Sequence, residues 1–439
     1  MFFKTRDDRM TLDSDSADER PRGIAHRYWF GVVLWKRILL ALVLGAVVGL
    51  IWGEGAGQIR WLGDLFVRLI QMVVAPLVFV TIVSGVLSLS DPRRLGSIGV
   101  KAVSLYVLTS LTAVGVGLAL ATLIQPGAGV DFSNAVPREG LEAAQPFAGL
   151  IEMIVPTNPI AALASGQILA VIFFALILGA AILVSGDAGK PLADVFNSAS
   201  EAMLRLVGFI MEVAPFGVFA LIAWVMGTTG LSAFVNVALL ALCVVVGCII
   251  QILVFQGGII KLFARLPVFP FFRDVTDAAL VAFSTSSSSA TLPVTMAVAE
   301  GNLGIRKPVF STVLPLGMTV SMDGTALYIG ILAVFAAQAF GISLSPSDYA
   351  LIVVTTLLVS IGTAPVPSAS LFMLAAVLQG IGVDPMQTAL LVGFVLPFDR
   401  ILDMTRTVAN VISDLAVATV VGKWENEIDV EAYLAPPVK

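Results

Sequence analysis

Long apolar runs recur along the chain and are separated by short polar turns. The first follows Lys36 and Arg37 at about 38–53, and others lie at about 63–89, 99–125, 166–186, 198–227 and 231–264. Roughly 20 mostly apolar residues cross about 30 Å of hydrocarbon, so each run reads as a transmembrane helix. The stretch 126–160 breaks the pattern with Pro126, Pro137, Pro146, Pro156, Pro159 and several carboxylates, and reads as an aqueous loop. Beyond 270 the pattern changes character. Between 270 and 422 the apolar runs are interrupted by Ser, Thr, Gly, Pro and Asp where a plain span would carry Leu and Val.

Basic residues in the short loops set the orientation. The amino-terminal segment up to Arg37, the loop with Arg93, Arg94 and Lys101, the one with Lys261, Arg265 and Arg273, and the one with Arg306 and Lys307 are all basic. The alternate loops hold only Arg60, only Arg138, or none, as around 227–230 and 343–348. This places the amino terminus in the cytoplasm, and Lys423 just past the last span places the carboxyl terminus there too. The alternation persists through the last third only if two segments enter and leave from the same side. Segments 270–300 and 347–380 qualify, with polar centres STSSSSATLPVT and SIGTAPVPSAS. Irregular backbone at membrane depth must be buried in protein or line a watery cavity. They therefore read as two re-entrant hairpins, each followed by a helix with a polar centre. Such repetition is the inverted-repeat pattern of secondary transporters. The expected fold is an all-α polytopic membrane protein of eight transmembrane helices plus two re-entrant helical hairpins.

Composition agrees. Of 439 residues, 58% are hydrophobic and 13% charged, and the mean hydropathy is +0.98; soluble domains carry about a quarter charged residues. The net charge of −5 adds little, because placement matters more than sum. His26 is the single histidine and lies in the polar amino-terminal tail, which excludes Ser-His triads and His-based zinc sites from the spans. Cys243 and Cys248 sit in the apolar run ALCVVVGCII and read as packing residues. Residues 1–36 lack a signal-peptide apolar region and read as a disordered cytoplasmic tail.

The chemistry concentrates in two helices. FDRILDMTRTVANVISD places Asp399, Asp403, Arg406, Thr407, Asn410 and Asp414 in one span, and spacings of three and four put the charged groups and Asn410 on one face. An ionisable group at the bilayer centre costs about 2.5–3.5 kcal/mol even on the lenient scale, so this stripe must face protein, water or ions. A ladder of internal salt bridges would serve packing alone, but Asn410 and Asp414 extend the stripe without adding a cation. VLPLGMTVSMDGTALYIG sets Asp323 beside Gly324, with Thr319, Ser321 and Thr325 around it. Glycine weakens the helix and bares carbonyls, so a hard oxygen site for a small cation such as sodium is the chemical reading. Tyr106, Thr109 and Ser110 on the third span carry no signal alone, since such hydroxyls commonly bond back to their own helix.

STSSSSATLPVT, PLGMTVSMDGTALY, SIGTAPVPS and DRILDMTRTVANVISD, in this order, resemble the dicarboxylate/amino acid:cation symporter family, the glutamate/aspartate transporters. The likeness covers nearly the whole chain and is most specific over 284–414. It implies the glutamate-transporter fold in a homotrimer of the plasma membrane (the prokaryotic inner membrane), acting as an elevator and not as an enzyme. Residues 37–98 and 166–227 would be scaffold helices one, two, four and five. Residues 99–125 and 228–422 would form the transport domain, 126–165 the extracellular loop and 423–439 a cytoplasmic tail.

By motif match the resemblance gives Arg406 the substrate's side-chain carboxylate and Asp403 its α-ammonium. Asn410, Thr325 and Thr407 join them, Ser287 and Ser288 bring hairpin backbone, and Val366, Pro367 and Ser370 cover the substrate. Carriers of neutral amino acids replace the arginine and those of succinate-like acids lack the aspartate, so the implied substrate is L-aspartate or L-glutamate, with sodium ions co-transported. Three cation sites are implied: Gly317, Ser321, Asn410 and Asp414; Thr319, Met322, Ser360, Ile361 and Thr363; and Tyr106, Thr109, Ser110 and Asp323.

The chain departs from the family pattern in three places. Ser321 stands where asparagine is usual, which favours protons as the alternative coupling ion. Pro365, Ser368 and Ser370 stiffen the glycine-rich tip of the second hairpin, and neither Ser286 nor Met404 supplies a further family arginine, although Arg400 lies one turn away. The remaining readings are a proton-coupled glutamate/aspartate or C4-dicarboxylate carrier, an anion pore, and an intramembrane hydrolase. The hydrolase lacks a base.

Overall fold

The computed structural model describes residue 32 and residues 34–87, 96–130, 155–229, 232–360 and 369–437. The described residues are helical throughout, apart from turns and a single antiparallel bridge between Ile305 and Ile428. In chain order the helices are α1 (Leu34–Trp52), α2 (Arg60–Leu87), α3 (Gly96–Ile124), α4 (Pro159–Ser165), α5 (Ile168–Val184) and α6 (Lys190–Thr229). Helix α7 (Ser232–Ile250) continues through π-helical turns at Gln251–Gln256 and Ile260–Ala264. After it come α8 (Val268–Asp274), α9 (Thr276–Thr285), α10 (Ser288–Gly301), α11 (Lys307–Val320) and α12 (Asp323–Ala339). The chain closes with α13 (Pro346–Ser360), α14 (Ala369–Gly380), α15 (Pro385–Trp424) and α16 (Val430–Leu434).

Among the described residues six helices are long and apolar enough to cross a membrane. They differ in what they face. The apolar window of Lys36–Phe66 is 28% buried inside the protein, whereas those of Lys307–Ala339 and Phe398–Trp424 are 94% and 83% buried. Leu40, Val43, Val47, Leu50 and Ile51 of α1 are exposed, as lipid-facing side chains are when the bilayer is the solvent. The last two spans are instead enclosed by other helices, which is how they carry polar groups.

Helices α1, α2, α5 and α6 pack chiefly on one another. Gly45 and Gly49 let α1 approach α6 so closely that a Cβ at either position would strike the Phe219 or Ala223 carbonyl. A bidentate pair of Arg37 with Glu212, at 2.7 and 3.1 Å, fastens the same two helices. Helices α3, α7 and α9 to α15 pack around α12 and α15.

Both expected hairpins are present. The first is α9 and α10, turned by Ser286 at φ 52° and capped by Ser287, whose hydroxyl accepts the Ala290 N–H. The second is α13 and α14; its tip, which holds Ile361, Thr363, Pro365, Val366, Pro367 and Ser368, lies outside the described residues. Each hairpin precedes a helix that carries carboxylates, α11–α12 and α15.

Candidate substrate and cation sites

Helix α15 opens with a capping box between Asp384 and Gln387 and Pro385 in its first turn. Four turns later it presents the polar stripe to the interior. Arg406 is 1% exposed and held by two carboxylates of its own helix: Nη1 lies 2.8 Å from Asp399 Oδ1, and Nη2 lies 2.7 Å from Asp403 Oδ1. Its guanidinium sits 4.3 Å above the Tyr328 ring, and the Tyr328 hydroxyl donates to Asp399 at 2.8 Å. Arg400 Nη1 is 3.9 Å from Asp403 Oδ2. Two arginines face two aspartates, so the cluster sums to zero formal charge. Thr407 donates back to the Asp403 carbonyl at 2.7 Å.

Opposite this stripe, α11 and α12 are parted by two non-helical residues, Ser321 (φ −133°, ψ 115°) and Met322 (φ −125°, ψ 76°). The helix break expected beside Asp323 is thus present, one residue ahead of it. Gly324 follows, and its N–H donates to Asn410 Oδ1 at 2.8 Å. A Cβ there would collide with the Arg406 backbone, so glycine is what lets the start of α12 rest on α15.

Asp323 is fully buried and accepts six hydrogen bonds. Thr109, Ser110 and Ser321 donate to Oδ1 at 3.2, 2.9 and 3.2 Å. Gln251, Gln256 and Ser413 donate to Oδ2 at 3.2, 2.9 and 2.7 Å. Four segments converge on this carboxylate: α3, the first π turn after α7, the α11–α12 break and α15.

Asp414 is the second buried carboxylate without an ion pair among the described residues. Among the described residues its Oδ1 has no hydrogen-bond partner, and a Cβ on Gly317 would strike both that oxygen and the Tyr106 hydroxyl. Tyr106, Gly317 and Asp414 therefore meet at one point. Tyr106 donates to the Val313 carbonyl at 3.0 Å, and the Gly317 carbonyl accepts the Ser321 N–H at 2.8 Å. Tyr106 keeps company with Asp414, while Thr109 and Ser110 of the same helix reach Asp323.

The other expected residues divide. Ser288 and Thr325 are buried, and the Thr325 hydroxyl lies 3.8 Å from Met322 Sδ. Ser370 is buried, and its hydroxyl has no partner among the described residues. Thr319 and Ser360 bond back to carbonyls of their own helices at 3.0 and 2.9 Å. Ile361, Thr363, Val366 and Pro367 of the expected sites fall outside those residues.

Sequence reasoning passed over Gln251, Gln256, Ser413 and Tyr328. The two glutamines had a signal: carboxamides in QILVFQ sit in an otherwise apolar span, where an unsatisfied amide is costly. Tyr328 and Ser413 had none beyond their neighbours, because a hydroxyl in a helix commonly bonds to its own turn.

A helical membrane protein with two hairpins, a charge-balanced Arg/Asp cluster and, among the described residues, two buried carboxylates lacking basic partners is built as a carrier of small charged solutes. The chain belongs to the Sodium:dicarboxylate symporter family, whose model matches residues 34–424. It is 36% identical over 410 residues to the proton/sodium-glutamate symport protein of Bacillus subtilis, covering 91% of this chain and 94% of that protein. It is 33% identical over 431 residues to a C4-dicarboxylate transport protein of Azorhizobium caulinodans, covering 97% and 94%. A proton/sodium-glutamate symport protein of Bacillus caldotenax is 34% identical over 415 residues, covering 91% and 97%. Membership makes the chain a multi-pass membrane symporter for small molecules, coupled to a cation.

Proposed function

We propose that the chain imports L-aspartate or L-glutamate together with sodium ions and leaves the substrate chemically unchanged. The observation that carries this reading is the adjacency of Asp403 and Arg406, buried on one face of α15. Arg406 offers a planar fork to a side-chain carboxylate. Asp403 offers a carboxylate to the α-ammonium that a simple dicarboxylate lacks. A substrate thus enters by exchange: its carboxylate takes the place of Asp399 or Asp403 on the guanidinium, and its ammonium takes the place of Arg406 on Asp403. Thr325, Thr407 and Asn410 line the same interior and complete the contacts, with Ser287, Ser288 and Ser370 from the hairpins.

Charge supports cation coupling. The Arg/Asp cluster is neutral, so an acidic amino acid adds one negative charge to a domain already holding Asp323 and Asp414, which have no ion pair among the described residues. Small cations at those carboxylates offset this before the loaded domain crosses the hydrocarbon. The packing of α1, α2, α5 and α6 chiefly on one another fits a fixed scaffold beside a moving transport domain.

Proton coupling is the second reading, favoured by Ser321, whose hydroxyl gives the Asp323 site a single short ligand. Uptake of labelled aspartate into proteoliposomes under a sodium gradient alone, compared with a pH gradient alone, separates the two. Uptake with sodium and none with the pH gradient is expected, and the reverse result overturns sodium coupling.

A further inference from the structure

The geometry points to Gln256, with Gln251 beside it, as cation ligands of the Asp323 site, contributed from the π turn that follows α7. This rests on the reading that sodium ions are co-transported.

Residues five apart on an α-helix lie about 140° from one another and cannot reach the same atom. Gln251 and Gln256 do, because they bracket a π-helical turn. Bonding from i to i+5 winds more residues into each turn and brings the two side chains to one side. π turns inside helices recur at functional sites. Both side chains are fully buried, and both donate Nε2–H to Asp323 Oδ2, at 3.2 and 2.9 Å. In both, Oε1 is buried with no hydrogen-bond partner among the described residues. Two orphaned amide oxygens within the shell of one carboxylate are hard to explain as packing, since buried polar atoms are nearly always satisfied.

A cation bound at Asp323 accounts for them. An amide N–H pointing at a cation is repelled, while an amide oxygen is attracted. A half turn about the terminal amide torsion, which is broad and two-fold, exchanges one for the other. Gln256 then gives the cation a neutral oxygen ligand; Gln251, whose Nε2–H also donates to the Thr109 carbonyl at 3.1 Å and the Thr112 hydroxyl at 3.3 Å, adds a second only by giving up those bonds, which makes Gln256 the principal ligand. On the bare carboxylate they return to donating and hold its charge in the low-dielectric interior. Ser321 at the same carboxylate offers one hydroxyl at 3.2 Å, so the carboxamides reach in from a different helix.

The test is sodium-dependent thermal stabilisation of the purified, detergent-solubilised full chain, titrating NaCl against choline chloride at constant ionic strength without substrate. Ligand binding to the native state raises its stability by mass action, so the sodium midpoint reports affinity. Gln256→Met keeps the volume and removes the oxygen; its midpoint should rise about tenfold, as for other residues that support a metal site. Adding Ser321→Asn to Gln256→Met returns a carboxamide to the same carboxylate and should recover much of that loss. Gln251→Met gives an independent reading through the other amide. A variant that lowers thermal stability without sodium and leaves the midpoint in place shows a purely structural role and overturns the inference. A wild-type protein indifferent to sodium overturns the inference together with the coupling reading. A wild-type response that both Met variants retain overturns the inference alone.

Discussion

Gly324→Ala tests the joint on which both sites depend. The ideal Cβ at residue 324 falls on the carbonyl oxygen, carbonyl carbon and Cα of Arg406, which are backbone atoms and cannot rotate aside. Helices α12 and α15 must therefore separate locally, which also strains the 2.8 Å bond from Gly324 N–H to Asn410. Overpacking a tight interior costs about 1–3 kcal/mol, and the lost hydrogen bond adds about 1 kcal/mol. The combined figure of about 2–4 kcal/mol corresponds to about one and a half to three decades in an equilibrium constant. Part of it appears as lower thermal stability and part as weaker aspartate binding, because Asp403 and Arg406 ride on the displaced segment. Gly115→Ala is the matched control: it lies on α3, and nothing is within 4 Å of its Cβ. Purified variants compared by thermal unfolding and by isothermal titration with aspartate in saturating sodium give the answer. If Gly324→Ala matches Gly115→Ala in both, the close approach of α12 to α15 does not govern the site.

Gly317→Ala pushes a methyl between Asp414 Oδ1 and the Tyr106 hydroxyl; the sodium concentration for half-maximal aspartate binding should rise about tenfold, and an unchanged value removes Gly317 from a cation site. Arg406→Cys leaves Asp399 and Asp403 buried without their main cation, and aspartate affinity should fall by about 30-fold or more; wild-type affinity would sink the assignment of Arg406. Just past the end of α15, the Lys101 ammonium, followed by the Ser97 hydroxyl, holds the Glu425 carboxyl below its ordinary value of 4.5. A carboxylate lowered on folding contributes stability above its unfolded pKa and loses it as pH falls through the folded value. Glu425→Gln should accordingly be less stable than wild type in thermal unfolding at pH 7, with a gap that narrows as pH falls below 4.5; a gap that widens on acidification contradicts the pairing.

Much of the fold was legible in the sequence because a bilayer forces long apolar runs and forbids unsatisfied backbone at depth. Both hairpins followed from that constraint, as did the interior placement of Asp399, Asp403, Arg406, Asn410 and Asp414, while the break beside Asp323 followed from Gly324. What could not be read was tertiary choice. Helical spacing shows that Asp399, Asp403 and Arg406 share a face, but not that Arg406 is gripped by both carboxylates and stacked on Tyr328. Tyr106 lies on the same helix as Thr109 and Ser110 yet joins Asp414, because which hydroxyl meets which carboxylate depends on how α3 crosses α11 and α12. The convergence of Gln251 and Gln256 was hidden for a stricter reason. A reading with 3.6 residues per turn places them apart, and only the π turn, invisible to hydrophobic periodicity, brings them together.

The most direct test of the account is equilibrium binding of L-aspartate, L-glutamate and succinate to the purified chain, each with sodium and with choline in its place. The pairing of Asp403 with Arg406, and the two carboxylates without basic partners, predict tight binding of an acidic amino acid that depends on sodium, with succinate far weaker. Succinate binding as tightly as aspartate, or aspartate binding equally well in choline, would contradict it.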